Sequence, residues 1–126
     1  MKDNPAALGE ATQIMSDITT HVLDVSIGRP AAGVPVILEI QKAADWKELS
    51  RGATDSDGRL RHLLAPGSLV KGTYRLTFET ETYFKSRKVE GLYPLIAITF
   101  QVRNAKEHHH IPLLLSPFGY STYRGS

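Results

Sequence analysis

The end of the chain is the most informative stretch of the sequence. It reads Ile111-Pro112-Leu113-Leu114-Leu115-Ser116-Pro117-Phe118-Gly119 and then Tyr120-Ser121-Thr122-Tyr123-Arg124-Gly125-Ser126. Chain ends are usually polar and untied unless something docks them. This one follows an apolar run after a short turn and carries two tyrosines and an arginine. We therefore expect a closing strand whose polar tip is held in a fixed place, where it can serve a site.

Short alternating runs upstream of this stretch predict that most of the chain is β-structure. Residues of one parity are apolar in four runs: Leu23, Val25 and Ile27; Val34, Val36, Leu38 and Ile40; Tyr74, Leu76 and Phe78; Ile96, Ile98, Phe100 and Val102. Successive side chains of a strand point to opposite faces, so each set is expected to face a core. Turn residues separate the runs, a pattern that is typical of two packed antiparallel sheets.

The first of these runs also assigns a face to its polar side chains. With its apolar set facing the core, Asp24 and Ser26 are predicted to lie on the opposite face. His21 shares the parity of the apolar set but lies at the beginning of the strand. Asp24 and His21 are therefore predicted to point away from each other.

The length of 126 residues predicts one domain with a single core. Residues 1–17 lack strand alternation and are predicted to be a flexible N-terminal extension, whereas residues 18–126 form the β domain. Residues 79–88 also lack a period of two and are predicted to hold one short helix. The predicted fold is therefore all-β, a sandwich of two antiparallel sheets with one short helix.

Composition excludes several classes of function. The chain has no cysteine, so disulfides and thiolate sites are ruled out and a cytoplasmic location is expected. A peroxisomal location is the alternative, although the Arg-Gly-Ser ending is not the carboxy-terminal peroxisomal address. We expect neither a secretory signal nor a membrane partner, because no basic and apolar leader and no long apolar run is present. The net charge of +2 is scattered, so no nucleic-acid partner is expected.

Three consecutive histidines are the first candidates for chemistry. His108 and His110 share one face of a predicted strand, about 6.6 Å apart along it, and His109 faces the other way with the apolar residues. Imidazoles titrate near neutral pH and can deprotonate water. Two alternatives remain open: a strand end that simply faces solvent, and a zinc site completed by a distant third histidine.

Arg59 is a second candidate, because it follows the turn Asp55-Ser56-Asp57-Gly58. An isolated arginine is usually exposed without a role. It nevertheless carries a permanent cation that can stabilise an oxygen gaining negative charge. No Ser-His-Asp arrangement is indicated, because neither Ser116 nor Ser121 has the glycine-flanked context of a nucleophile. Water is therefore the expected nucleophile of any hydrolytic reaction.

Four ordered blocks of sequence resemble the transthyretin-like family, and within it the 5-hydroxyisourate hydrolases. These blocks are Thr20-His21-Val22-Leu23-Asp24, Thr54-Asp55-Ser56-Asp57-Gly58-Arg59, His110-Ile111-Pro112-Leu113-Leu114-Leu115-Ser116-Pro117 and Tyr123-Arg124-Gly125-Ser126. The resemblance covers residues 18–126. Two features depart from the hydrolase pattern, namely His109, where a tyrosine is usual, and the 17-residue extension.

The resemblance implies a transthyretin-like sandwich that assembles as a homotetramer, a dimer of dimers with sites in the channel between dimers. It implies hydrolysis of the small-molecule substrate 5-hydroxyisourate without a cofactor or a metal. His21, Arg59 and His110 would be catalytic, and a further set would bind the substrate, namely His108, Tyr123 and Ser126. Which histidine is the general base stays open. The alternative function is a non-catalytic carrier of a small ligand.

Overall fold

The computed structural model describes residues 18–126, which form nine strands and one helix. The strands are β1 Ile18–Asp24, β2 Arg29–Pro30, β3 Pro35–Lys42, β4 Asp45–Ala53, β5 Arg59–Leu60, β6 Gly72–Phe78, β7 Ile96–Val102, β8 His109–Ser116 and β9 Gly119–Thr122, and the helix is α1 Thr80–Ser86. No helix in this part of the chain is long and apolar enough to cross a membrane. The predicted extension, residues 1–17, lies outside the described residues.

The strands form two sheets. The five-stranded sheet has the order β2-β1-β8-β9, with β5 paired to β1, and the four-stranded sheet has the order β4-β3-β6-β7. The predicted all-β sandwich with one short helix is confirmed. One detail differs from the prediction, since β1 and β8 run parallel. Such a pair needs a long connection rather than a hairpin, and here the whole four-stranded sheet lies between them in sequence.

The core lies between the sheets and consists mainly of the residues that the alternation predicted. Val36 and Leu38 of β3 and Leu76 and Phe78 of β6 are all inaccessible to solvent. Burial of apolar surface contributes about 25 cal/mol per Å², so these side chains supply much of the stability of the fold. The two sheets therefore form a rigid support for residues on their outer faces.

The predicted orientation of β1 is wrong. Its core-facing residues are Ile18, Thr20, Val22 and Asp24, each at most 1% exposed, whereas Val25 and Ile27 lie in a turn and are exposed. Asp24 can face the core because its buried carboxylate has hydrogen-bond partners there. Its carboxylate accepts hydrogen bonds from the Ser26 amide at 3.0 Å, the Ser26 hydroxyl at 2.5 Å and the Tyr83 hydroxyl of α1 at 2.8 Å.

This orientation places His21 on the outer face of the five-stranded sheet. In β8 the predicted parity is confirmed, since His109 and Ile111 face the core and His108 and His110 face outward. His109 donates from Nδ1 to the Glu107 carbonyl at 2.9 Å, which satisfies one side of its buried ring. Three histidines of the family pattern therefore share one outer face.

Candidate active site

A pocket of about 190 Å³ lies on the outer face of the five-stranded sheet. Its lining residues are Thr19, Thr20, Arg59, Arg61, His108, His110 and Ser126. They come from β1, the β5 segment and the beginning of β8, together with the last residue of the sequence. The pocket thus brings together four side chains that the resemblance assigned to a site, from three distant parts of the chain.

Arg59 reaches the pocket because β5 pairs with β1. His21 and Arg59 are partners in the antiparallel register of these strands. His21 is half-buried and lies beside the pocket rather than in its lining. Burial is the main cause that lowers the pKa of His110, followed by Arg59 and His108, and His21 adds a smaller effect. His21 and Arg59 therefore both lie within electrostatic reach of His110.

The turn before Arg59 is built to deliver it to this position. The Asp55 carboxylate accepts the amide hydrogens of Asp57 at 2.8 Å and Arg59 at 3.0 Å. Thr54 is buried, and its hydroxyl donates to the Ala31 carbonyl at 2.7 Å. These bonds fold the turn and attach it to the rest of the domain, which is the physical reason for this block of sequence.

Gly58 closes the same turn against β1. Its φ is +76°, and a Cβ there would lie 2.4 Å from the Val22 carbonyl oxygen. The Gly58 carbonyl also accepts the Val22 amide at 2.7 Å. Only glycine combines this positive φ with such a close approach of two backbones. The turn therefore packs directly against β1, the strand that carries His21.

Thr19 connects the two histidines of the pocket. Its Oγ1 lies 2.8 Å from His108 Nε2 and 2.8 Å from His110 Nδ1. The two imidazole centroids are 6.4 Å apart, so the hydroxyl bridges rings that do not touch each other. Thr19 is partnered with His110 in the parallel β1–β8 register. The bridge is thus fixed by the pairing of the two strands.

The end of the chain is docked, as predicted. The Gly125 amide donates to the His110 carbonyl at 2.8 Å, and Arg124 Nη2 donates to the His108 carbonyl at 3.1 Å. A Cβ on Gly125 would lie 2.5 Å from His110 Cδ2, so the backbone passes directly against the imidazole. Arg124 therefore ties the tail to β8, and Gly125 confines the ring of His110.

One predicted site residue is not brought into the pocket of the single chain. Tyr123 is 57% exposed and is not among the lining residues, whereas Ser126 is. Sequence reasoning also missed three polar lining residues, Thr19, Thr20 and Arg61. Thr19 and Arg61 each lie two positions from a predicted site residue, Thr19 from His21 and Arg61 from Arg59, and this spacing was the available signal.

The surroundings of His110 keep its imidazole neutral. Burial lowers the pKa of His110, and the nearby Arg59 cation lowers it further, with smaller effects from His108 and His21. A neutral imidazole retains a lone pair that can accept a proton. The pocket therefore combines a potential base with a permanent cation, which is the pair of groups needed for attack by water on a carbonyl carbon.

The zinc alternative receives no support from the geometry. Within residues 18–126, no group of three or more histidine, aspartate or glutamate side chains is arranged to hold a metal ion. His108 and His110 point their bridging nitrogens at a hydroxyl instead. Within the described residues, these histidines are therefore arranged for hydrogen bonding.

Comparison with known proteins identifies the family. The model of the HIUase/Transthyretin family matches residues 18–125. The 5-hydroxyisourate hydrolase of Salmonella typhi is 44% identical over 120 residues, which cover 95% of this chain and 86% of that one. The solved 5-hydroxyisourate hydrolase of Klebsiella pneumoniae is 38% identical with a TM-score of 0.77, covering 89% of this chain and 100% of that chain. Sea bream transthyretin, solved in complex with thyroxine, is 26% identical with a TM-score of 0.82, covering 86% and 94% of the two chains. The chain belongs to the HIUase/Transthyretin family.

Proposed function

We propose that this chain is a 5-hydroxyisourate hydrolase, which adds water to a ring bond of 5-hydroxyisourate in the breakdown of urate. Several relatives that match most of its length carry that name. The main support for the proposal is that His108, His110 and Arg59 line the same pocket. A cyclic amide needs a base to activate water and a cation to stabilise the oxygen that gains charge. This pocket holds both groups.

In the proposed reaction, His110 removes a proton from a water molecule as its oxygen attacks a carbonyl carbon of the substrate ring. The lowered pKa of His110 keeps it ready for this step at neutral pH. The guanidinium of Arg59 stabilises the negative charge that develops on the carbonyl oxygen. The ring bond to nitrogen then breaks, and the leaving nitrogen takes up the proton that His110 removed from the water, which restores neutral His110.

The remaining groups orient the substrate and the water. We assign His108 and Ser126 to substrate binding, because both line the pocket. His21 lies opposite Arg59, where it can help to position the attacking water. Arg61 also lines the pocket, and it is partly held by Asp55 at 3.5 Å. A substrate rich in carbonyl oxygens would meet two guanidinium groups there.

We further propose that the active form is a homotetramer, with sites in the channel between dimers. On the outer face of the five-stranded sheet, an apolar groove contains Val25, Leu114 and Tyr120, and Phe118 nearby is 68% exposed. Large exposed apolar patches usually mark interaction surfaces. A second copy facing this sheet would cover the pocket and the exposed Tyr123, which would explain how Tyr123 contributes to a site.

A non-catalytic carrier of a small ligand is the second candidate, and the similarity to sea bream transthyretin favours it. The two candidates differ in stoichiometry. A carrier binds at most one ligand molecule per site, whereas an enzyme turns over many substrate molecules per site. The test is the ultraviolet absorbance of freshly generated 5-hydroxyisourate, followed with protein at a small fraction of the substrate concentration. We expect decay well above the spontaneous rate until the substrate is consumed, whereas an unchanged decay rate would contradict the hydrolase.

A further inference from the structure

The hydroxyl of Thr19 bridges two imidazoles of the pocket, those of His108 and His110, and the proposed reaction assigns no role to it. It lies 2.8 Å from each of two ring nitrogens, Nε2 of His108 and Nδ1 of His110. Thr19 is only 7% exposed, so water does not readily replace these contacts. A hydroxyl has one hydrogen to donate and two lone pairs to accept with. The bridge therefore constrains which hydrogens the two imidazoles carry.

Two arrangements satisfy both contacts and also use the hydroxyl hydrogen when the imidazoles are neutral. In the first, His110 Nδ1–H donates to Thr19 Oγ1, and the Thr19 hydroxyl donates to His108 Nε2. In the second, the directions are reversed, so that His110 Nδ1 accepts and its Nε2 carries the hydrogen. A third arrangement, in which both rings donate to Oγ1, leaves the buried hydroxyl hydrogen without an acceptor among residues 18–126. Of the two satisfied arrangements, only the first leaves Nε2 of His110 with a free lone pair. It is also the one that survives protonation of Nε2, because Nδ1 keeps its hydrogen throughout.

The ring of His110 is held in the orientation that this bridge needs. Nδ1 lies on the side of Thr19, and Cδ2 lies on the side of Gly125, where the backbone approaches closely. A flip of the ring would exchange these two atoms and break the contact with the hydroxyl. Gly125 and Thr19 therefore confine His110 from opposite sides. The tautomer is then the one remaining variable of this imidazole.

We infer that Thr19 is a positioning residue that holds neutral His110 in the Nδ1–H tautomer, with His108 as the acceptor of the Thr19 hydroxyl hydrogen. His110 Nε2 thereby becomes the basic nitrogen, and His108 is excluded as the base through its Nε2. This inference rests on the proposed function, because the Nδ1–H tautomer is chosen as the one that leaves Nε2 free to act as the base. Groups that fix the tautomer of a functional histidine are a recurrent feature of enzyme sites.

Substitutions at Thr19 separate the effect of the hydroxyl from the effect of the side-chain shape. Thr19→Val keeps the branched side chain, which suits a strand, and removes the hydroxyl. The Nδ1–H of His110 then faces a methyl group, and the Nε2–H form, which can bind water in the pocket, becomes favoured. Thr19→Ser retains the hydroxyl. Thr99→Val, at an exposed position of β7 in the other sheet, is the matched control.

His108→Ala provides a second perturbation, at the other end of the bridge and at an exposed position. It removes the acceptor of the Thr19 hydroxyl, which then turns to donate to His110 Nδ1. His110 is thereby held in the unproductive Nε2–H tautomer. Addition of Thr19→Val to His108→Ala removes that donor, so the double variant should be no slower than His108→Ala alone. Independent contributions would instead multiply.

The measurement is nitrogen-15 NMR of the His110 imidazole at a pH where it is neutral, since a protonated ring nitrogen and one with a lone pair differ widely in chemical shift. We expect the Nδ1–H signature in the unaltered protein, in Thr19→Ser and in Thr99→Val, and the Nε2–H signature in Thr19→Val and His108→Ala. Turnover should fall about 10- to 100-fold in Thr19→Val, with little change in KM, and should be largely restored in Thr19→Ser.

An Nε2–H signature in the unaltered protein would overturn the inference, and so would a tautomer that Thr19→Val leaves unchanged. The NMR experiment needs no substrate, so it remains decisive even if the protein fails to hydrolyse 5-hydroxyisourate. Conversely, hydrolysis together with the wrong tautomer would reject the role of Thr19 and leave the proposed function standing.

Discussion

His21 and Arg59 lie opposite each other in the antiparallel pair formed by β1 and β5. The turn of residues 55–58 creates this pairing, since its glycine can sit directly on the backbone of β1. Arg59 therefore owes its position to backbone contacts. The backbone that carries the guanidinium is already in place before substrate arrives, and electrostatic stabilisation of a transition state depends on such preorganised groups.

Arg59→Ala should lower turnover by about 10²–10³, because it removes a preorganised donor from the developing oxyanion. The fold should be unaffected, since the turn is held by Asp55, Gly58 and their backbone partners. Circular dichroism and the denaturation midpoint check the second point. Arg51→Ala is the matched control, because Arg51 is exposed on β4 and pairs with Glu48. Near-normal turnover in a natively folded Arg59→Ala protein would rule out the role assigned to Arg59.

The pKa of His110 should lie below the value of about 6.5 that is ordinary for histidine. Burial and the Arg59 cation both disfavour the imidazolium, so the neutral base persists to lower pH and is lost only as pH falls through the folded-state pKa. Arg59→Gln removes the cation but not the burial, and should move the pKa part of the way upward. An NMR titration of the ring protons measures both values. A pKa of His110 above 6.5, or a pKa that Arg59→Gln leaves unchanged, would contradict the electrostatic coupling of His110 to Arg59.

Gly125→Ala should lower turnover by up to about 10²-fold, because its Cβ would lie 2.5 Å from His110 Cδ2 and must displace the imidazole or the tail. Stability should change little, since the tail is largely exposed. Gly119→Ala in the same hairpin is the control, because a Cβ there meets only Ser116 Oγ, at 3.8 Å. Parental activity in Gly125→Ala would mean that the close approach of the tail does not confine the base.

The protein should assemble as a homotetramer in solution, because its apolar groove and aromatic tail are too exposed for a monomer. Light scattering should therefore report about four times the chain mass of 13.9 kDa. Tyr120→Lys, on the edge strand β9, places a charge among the apolar groove residues and should shift the assembly towards smaller species. A fully active monomer would exclude a site shared between copies.

Much of the fold could be predicted from the sequence, because residues of one parity are consistently apolar in β3, β6 and β7. The orientation of β1 could not. Its inward carboxylate, Asp24, is stabilised by Tyr83, which lies far away in sequence and whose own pKa is raised to about 12 by burial and by this contact. Rules based on alternation assign polar residues to the surface. They therefore misplace a polar residue that is buried with a partner distant in sequence.

The site was predictable where it depends on motifs and on parity within one strand. His108 and His110 fall into this class, and so does Arg59. Thr19 does not, since its contact with His110 arises from the parallel β1–β8 register, which no local pattern encodes. Tyr123 is a different case, because a single chain leaves it exposed, and its predicted role depends on a second copy of the chain.

We propose that this pocket hydrolyses 5-hydroxyisourate with His110 as the base. The most direct test compares the absorbance decay of fresh 5-hydroxyisourate in the presence of the unaltered protein and of His110→Gln, each at a small fraction of the substrate concentration. We predict rapid decay with the unaltered protein and a rate about 10²–10⁴-fold lower with His110→Gln, the usual contribution of a general base. Spontaneous decay with the unaltered protein, or equal rates for the two proteins, would contradict the account.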